Sequence, residues 1–155
     1  MARELDLEEF ESRAWRAFLE AHARLVPELE AELVDEQSLT LSQYEVLLRL
    51  AKAPGRAMRM LKLAESVLLS PSGITRVIDE LERKDLVERK RCPSDARGYL
   101  AVLTAKGRAR LRRAAAVHVR GIREHFTDRL TSRQLEQLAS ALEAIFPPTA
   151  IEEAG

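Results

Sequence analysis

The 155-residue sequence predicts a mainly α-helical chain that carries one small β-ribbon, and three observations lead there. Apolar residues recur at helical spacing over most of the chain, in stretches opened by Thr or Ser and closed by Pro or Gly. Between Leu86 and Leu103 the pattern changes to two short runs rich in Val, Leu and Tyr, separated by Cys92-Pro93-Ser94-Asp95-Ala96-Arg97-Gly98, a stretch of turn chemistry. Aromatic residues make up only 5% of the chain, too few for a β-sandwich, while 46% apolar residues suffice for one core.

Taken in order, residues 7 to about 34 form a long helix. It has Phe10, Ala14, Phe18, Ala21, Leu25 and Leu29 on one side and Trp15, Leu19, Val26 and Leu33 on the next. That surface is too broad for a helix with one neighbour. Pro27 removes a backbone donor and is expected to kink it. Residues 35–39 read as a linker. Thr40 and Gln43 make a capping box for a helix over 41 to about 52, with Tyr44, Leu47, Leu48 and Ala51 inward, and Ala53-Pro54-Gly55 ends it. Met58 is expected in a short strand beside the ribbon, and residues 61–67 in a short helix.

Leu68 and Leu69 then turn the chain into a helix for which Ser70 is the N-cap and Pro71 the first residue. Ile74, Val77, Ile78 and Leu81 form its apolar face; Ser72, Thr75, Arg76 and Asp79 lie opposite. Strands are expected over 86–91 and 99–103. The hairpin between them is positive at its base, through Arg89, Lys90 and Arg91, and at its tip, through Arg97. Thr104 caps a long helix with a stripe of Leu111, Ala115, His118, Ile122 and Phe126. Gly107 in its first turn costs about 1 kcal/mol relative to Ala, which points to a close approach. A second capping box, Thr131 with Gln134, starts a helix bearing Leu135, Leu138, Leu142 and Ile145, and Pro147-Pro148 stops it.

Two short helices followed by a basic hairpin are the sequence form of a winged helix-turn-helix, here over 38–104 of a single domain spanning 1–155. The helices over 5–36 and 105–146 carry more apolar surface than so small a core can cover. They are read as dimerisation helices that interleave with those of a second copy. The acidic start MARELDLEEFESRAW lacks the pattern of a signal peptide, no window approaches a membrane span, and the single Cys cannot form a disulfide within the chain. A cytoplasmic protein is expected.

Formal net charge is zero, but its distribution is uneven. Residues 56–113 hold 15 Lys/Arg against 7 Asp/Glu, a net +8; residues 1–55 hold 6 against 12, and residues 114–155 hold 4 against 6. Positive charge gathered on the reading helix and hairpin is the footprint of a DNA binder. A helix that hides one side in a core and offers small hydroxyls and an Arg on the other suits a major groove.

Helix and hairpin together resemble the MarR family of bacterial transcriptional regulators. The resemblance rests on Leu69-Ser70-Pro71-Ser72-Gly73-Ile74-Thr75-Arg76, Leu81-Glu82-Arg83-Lys84, Leu86-Val87-Glu88-Arg89 and Pro93-Ser94-Asp95-Ala96-Arg97-Gly98, with Leu103-Thr104 and Gly107 behind. Ala96 stands where the family often has a second basic residue, which weakens wing contact. Asp85 stands where a helix-ending Gly is usual, in a left-handed position that Asp tolerates better than most residues. The resemblance implies a sequence-specific regulator, a repressor by expectation, that binds double-stranded DNA at an inverted repeat as a homodimer, without cofactor or enzymatic activity. It implies that Ser70, Ser72, Thr75 and Arg76 contact the major groove and that Arg97 enters the adjacent minor groove, where narrow A·T-rich sequence concentrates negative potential. Asp95 is read as an orienting partner for an Arg of the wing, and Arg89, Lys90 and Arg91 as phosphate contacts.

The resemblance also implies release by a small aromatic or amphipathic effector bound between the dimerisation helices and the winged part. Trp15, Phe18, His22, Tyr44 and His118 are the candidates to line that cleft, against the plainer reading that each is ordinary core or interface. Two other switches are weighed. Cys92 lies among cations that favour its thiolate, which would suit a redox sensor. His118 and His125 are two helical turns apart, about 10 Å, too far to share a metal ion directly, so no metal site is expected. A winged module that binds protein instead of DNA is the competing class; it predicts binding with little salt dependence.

Overall fold

The computed structural model describes residues 7–67 and 71–146, without the side chains of Pro71 and Ala96. Its elements run α1 (Glu9–Gln37), α2 (Leu41–Lys52), β1 (Ala57–Arg59), α3 (Met60–Ser66), α4 (Pro71–Arg83), β2 (Val87–Cys92), β3 (Asp95–Leu103), α5 (Ala105–His125) and α6 (Ser132–Ile145). Short 3-10 turns at Pro54–Arg56 and Thr127–Arg129 break the longer connections. The helix-turn-helix order and the small wing are those expected. The Ser70 cap, the Leu68-Leu69 turn and the Pro147-Pro148 stop lie outside the described residues.

Helix α1 runs through Pro27 as one element. It also absorbs most of the expected linker: Asp35, Glu36 and Gln37 contain no breaker, so the helix continues until Ser38 turns left-handed (φ 54°). The Ser38 N–H closes onto the Leu33 and Val34 carbonyls, and Leu39 drops fully into the core. Only Leu29 and Leu33 of α1 are buried; Phe10, Trp15, Phe18 and Leu19 remain exposed in the single chain.

Helix α2 is the centre of the core. The Thr40–Gln43 capping box forms as expected, with Gln43 N–H donating to Thr40 Oγ1 and Thr40 N–H to Gln43 Oε1, both at 3.2 Å. Tyr44 and Leu47 are buried, but so are Val46 and Leu50, which the one-sided stripe left out. The reason is that α2 is packed by α1 and α5 as well as by α3, α4 and the sheet. Ile74, Ile78 and Leu81 of α4 close the core from the other side, with Leu63 of α3 and Leu86, Val87, Ala101 and Leu103 of the sheet.

The sheet order is β1-β3-β2, antiparallel throughout, with Met58 opposite Ala101. The hairpin departs from expectation. Strand pairing continues to Cys92 opposite Asp95, so the turn is only Pro93-Ser94, and the rest of the expected loop is strand. The register jumps between Arg91, opposite Tyr99, and Cys92, which leaves Ala96, Arg97 and Gly98 as extra residues bulged out of β3. Turn-forming residues thus mark a bulge as readily as a loop.

Asp85 adopts φ 59°, the left-handed conformation anticipated where a Gly would be easier. It ends α4 and aims Leu86 back into the core. Thr104 then caps α5 by accepting from Gly107 N–H at 2.9 Å, while its own hydroxyl donates to the Asp85 carbonyl at 2.7 Å. Gly107 sits on Leu86: a Cβ there would lie 2.0 Å from the Leu86 carbonyl oxygen, which accounts for glycine. The buried line of α5 is Gly107, Leu111, Ala114, Val117 and Gly121, which shares only Leu111 with the expected stripe. Ala115, His118, Ile122 and Phe126 are half-buried, because the two glycines turn their own side of α5 toward its neighbours. Helix α6 opens with its Thr131–Gln134 box and buries no residue; Leu142, Ile145 and Phe146 are exposed.

Candidate nucleic-acid interface

Helix α4 presents Ser72, Thr75 and Arg76 outward while Ile74, Ile78 and Leu81 hold it to the core. Arg76 is 84% exposed, its Nε 3.7 Å from Glu80 Oε1 one turn on. Glu80 in turn accepts from Gln43 Nε2 at 2.7 Å. Gln43 is 2% exposed, and its Oε1 also accepts from Lys84 Nζ at 3.1 Å. Lys84 donates further to the Ser38 carbonyl at 2.7 Å. A buried amide whose oxygen accepts from Thr40 and Lys84 and whose nitrogen donates to Glu80 thus ties α2 to α4 and its C-terminal end. Ser70 is outside the described residues.

The wing supplies the second surface. Arg97 is exposed on the bulge, and its N–H donates to Asp95 Oδ1 at 3.0 Å. Asp95 Oδ2 lies 3.8 Å from Arg59 Nη1, and Arg59 Nη2 donates to Ser94 Oγ at 2.9 Å. Asp95 thus orients the main chain at Arg97 and meets the side chain of an Arg outside the hairpin. Arg59 is a wing residue that the sequence reading missed; only the pairing of β1 with β3, Arg59 opposite Leu100, could have pointed to it. Arg91 is exposed with its guanidinium 6.0 Å from the centre of the Tyr99 ring, its cross-strand neighbour. Lys90 pairs with Glu88 at 2.8 Å on the same strand.

Arg89, expected to meet phosphate, is engaged within the protein. Its guanidinium donates to Asp79 Oδ1 at 2.6 Å, to Glu82 Oε2 and to the Thr75 carbonyl at 3.3 Å, and its backbone N–H donates to Glu82 Oε1 at 2.8 Å. Side-chain exposure is only 23%. Arg89 ties β2 of the wing to α4 through the Asp79 and Glu82 carboxylates.

The five effector candidates do not form one cleft in the chain. Trp15, Phe18 and His22 make a ladder along exposed α1, with ring centres 6.2 and 6.5 Å apart. Tyr44 and His118 instead meet between α2 and α5, their ring centres 4.7 Å apart and the planes tilted by 49°. Trp15 precedes Leu33, the core end of α1, by about 27 Å along the helix axis at 1.5 Å per residue. Burial pushes the Tyr44 hydroxyl pKa up, helped by Glu45. It pushes the His118 imidazole down, against smaller opposite effects of Glu45 and Glu32. His118 Nδ1 is buried without a hydrogen-bond partner among the described residues.

Cys92 is 7% exposed and faces inward. Its thiol pKa is lowered chiefly by hydrogen bonding to Ser94, with Sγ 3.3 Å from Ser94 Oγ, and less by the charge of Arg59. Of the neighbouring cations, it is Arg59 and not Arg89, Lys90, Arg91 or Arg97, to which the sequence pointed, that lowers it.

An antiparallel three-stranded wing packed on a helix-turn-helix, with a polar-faced second helix and an Arg at the wing tip, defines the winged helix-turn-helix class. The MarR family model matches residues 39–99, from the start of α2 to the middle of β3. AbsC, a MarR family transcriptional regulator from Streptomyces coelicolor, is 38% identical and superposes with a TM-score of 0.84 over 90% of this chain and 94% of that one. Sco3205 of the same organism, a MarR family regulator solved in complex with DNA, gives 0.85 at 34% identity over 90% and 91%. The HTH-type transcriptional repressor Rv2887 of Mycobacterium tuberculosis is 34% identical over 123 residues, 79% of this chain and 86% of that protein. The chain belongs to the MarR family of transcriptional regulators, which are not enzymes. No helix among the described residues is long and apolar enough to cross a membrane.

Proposed function

We propose that this regulator is a sequence-specific repressor that binds an inverted-repeat operator as a homodimer. The observation that carries the reading is the adjacency of two exposed elements tied together by Arg89: the polar face of α4 with Ser72, Thr75 and Arg76, and the bulged wing with Arg97. In this reading α4 enters the major groove and Arg97 the neighbouring minor groove. The DNA complex of Sco3205 and the repressor named among the relatives support it. The exposed apolar residues of α1 and α6, Phe10, Trp15, Phe18, Leu142, Ile145 and Phe146, support a second copy as the cover for the helices over 5–36 and 105–146. Twofold symmetry then sets half-sites about 10 bp apart or a multiple of that.

Release by an aromatic or amphipathic effector belongs to the same reading in modified form. The cleft would be built at the dimer interface, beside the Trp15-Phe18-His22 ladder, with Tyr44 and His118 serving as core. The test is selection of genomic fragments by the purified protein, followed by a salt titration on the best site. Enrichment of one inverted repeat, with affinity falling steeply in salt, is the expected result. Absence of enrichment with salt-insensitive binding would replace the repressor by a protein-binding winged module.

A further inference from the structure

The histidines were too far apart in sequence to suggest a metal site, but folding brings His125 to two carboxylates instead of to His118. Glu32 of α1 and Glu124 and His125 of α5 each place a donor atom within 4.8 Å of the others. Glu32 Oε1 lies 2.6 Å from His125 Nε2. Glu32 Oε2 is buried and has no hydrogen-bond partner among the described residues. Gly121 makes room for it: a Cβ at that position would stand 2.5 Å from Glu32 Oε2. That oxygen lies against Gly121, so the atom Glu32 turns toward His125 is Oε1.

We propose that Glu32, Glu124 and His125 form a binding site for a divalent transition-metal ion of the Zn2+ class, fastening α1 to α5. One imidazole and two carboxylates from two helices are a donor set that such ions accept, with water completing the tetrahedron. Ligand distances near 2.1 Å put tetrahedral donors about 3.4 Å apart. The Glu32–His125 pair therefore has to open by under about 1 Å, the ion replacing their hydrogen bond, and the exposed Glu124 donor, within 4.8 Å of both, has to close by at most about 1.4 Å. The ion takes the neutral imidazole, so binding weakens in acid. Arg120, paired with Glu36 and facing both Glu32 and Glu124, opposes the cation and sets an upper limit on affinity.

The test is titration of the EDTA-stripped full chain with Zn2+ against a chromophoric chelator, with X-ray absorption on the loaded protein. One ion per chain in an oxygen and nitrogen shell without sulfur is expected. Glu124→Gln, a change at an exposed side chain that leaves folding intact, and His125→Ala should each weaken binding more than about tenfold. Cys92→Ser and His22→Ala should leave it unchanged. No binding tighter than about 0.1 mM, a sulfur ligand, or full affinity in Glu124→Gln and His125→Ala would overturn the site.

Discussion

Replacing Arg89 by Ala separates the two roles that the sequence and the structure assign to it. If Arg89 is the clamp between wing and reading helix, the substitution removes charge-assisted hydrogen bonds to Asp79, Glu82 and the Thr75 carbonyl and leaves two carboxylates facing each other. Hydrogen bonds to charged groups contribute about 1.5–3 kcal/mol when buried, and exposed ion pairs under about 1 kcal/mol. With Arg89 at 23% exposure and Asp79 at 47%, a loss of about 2 kcal/mol is expected. For a domain of this size that lowers Tm by roughly 4–8 °C. Urea denaturation at fixed protein concentration reads the stability, and fluorescence anisotropy across a salt series reads the DNA contact. The clamp predicts lower stability with the log–log salt slope of operator binding unchanged. A slope shallower by about 0.9 per Arg89 lost, with stability within about 0.5 kcal/mol of the parent, would refute the clamp and restore the phosphate contact.

Three further substitutions test other parts of the account. Arg97→Ala should weaken operator binding with fold and dimer unchanged, seen by anisotropy and circular dichroism; equal affinity would remove Arg97 from recognition. Gly107→Ala should destabilise by about 3 kcal/mol or more in denaturant, since the added methyl meets the Leu86 carbonyl, a backbone atom that cannot step aside. His118 carries a pH dependence with a definite sign. Burial lowers its folded pKa below the unfolded value, so the unfolded chain takes up the proton first and stability falls as the pH drops below about 6.5. Urea midpoints at pH 7.5 and 5.5 should draw closer together in His118→Asn than in the parent, and an unchanged gap would place the titration elsewhere.

Features that depend on a few neighbouring residues were legible in the sequence. The capping boxes at Thr40 and Thr131, the apolar face of α4, the left-handed Asp85 and the close approach at Gly107 all follow from local chemistry, and each has its counterpart in the structure. What escaped depends on which elements meet. Val46 and Leu50 are buried because α2 is packed on several sides, and a stripe counts only one. The hairpin turn looked like a loop because Ala96, Arg97 and Gly98 are a bulge, and nothing short of the register distinguishes the two. Gln43 read only as a capping residue, yet the same amide reaches Glu80, 37 positions away.

Charge shows the same limit most sharply, and it alters the expected binding. The net +8 over residues 56–113 suggested a surface of free cations. In the fold Arg59 is paired with Asp95, Arg89 with Asp79 and Glu82, Lys90 with Glu88 and Lys106 with Asp85. A cation already neutralised at short range releases no counterion when a phosphate approaches unless its first partner lets go, and partly buried Arg89 gains least by exchanging partners. The salt slope of operator binding should therefore be shallower than the count of basic residues implies, with exposed Arg97 on the wing carrying a main share and Arg76 on α4 contributing only as it leaves Glu80. Composition thus identifies the DNA-facing half of the chain. It takes the pairing pattern of the fold to say which of its cations are available to face DNA.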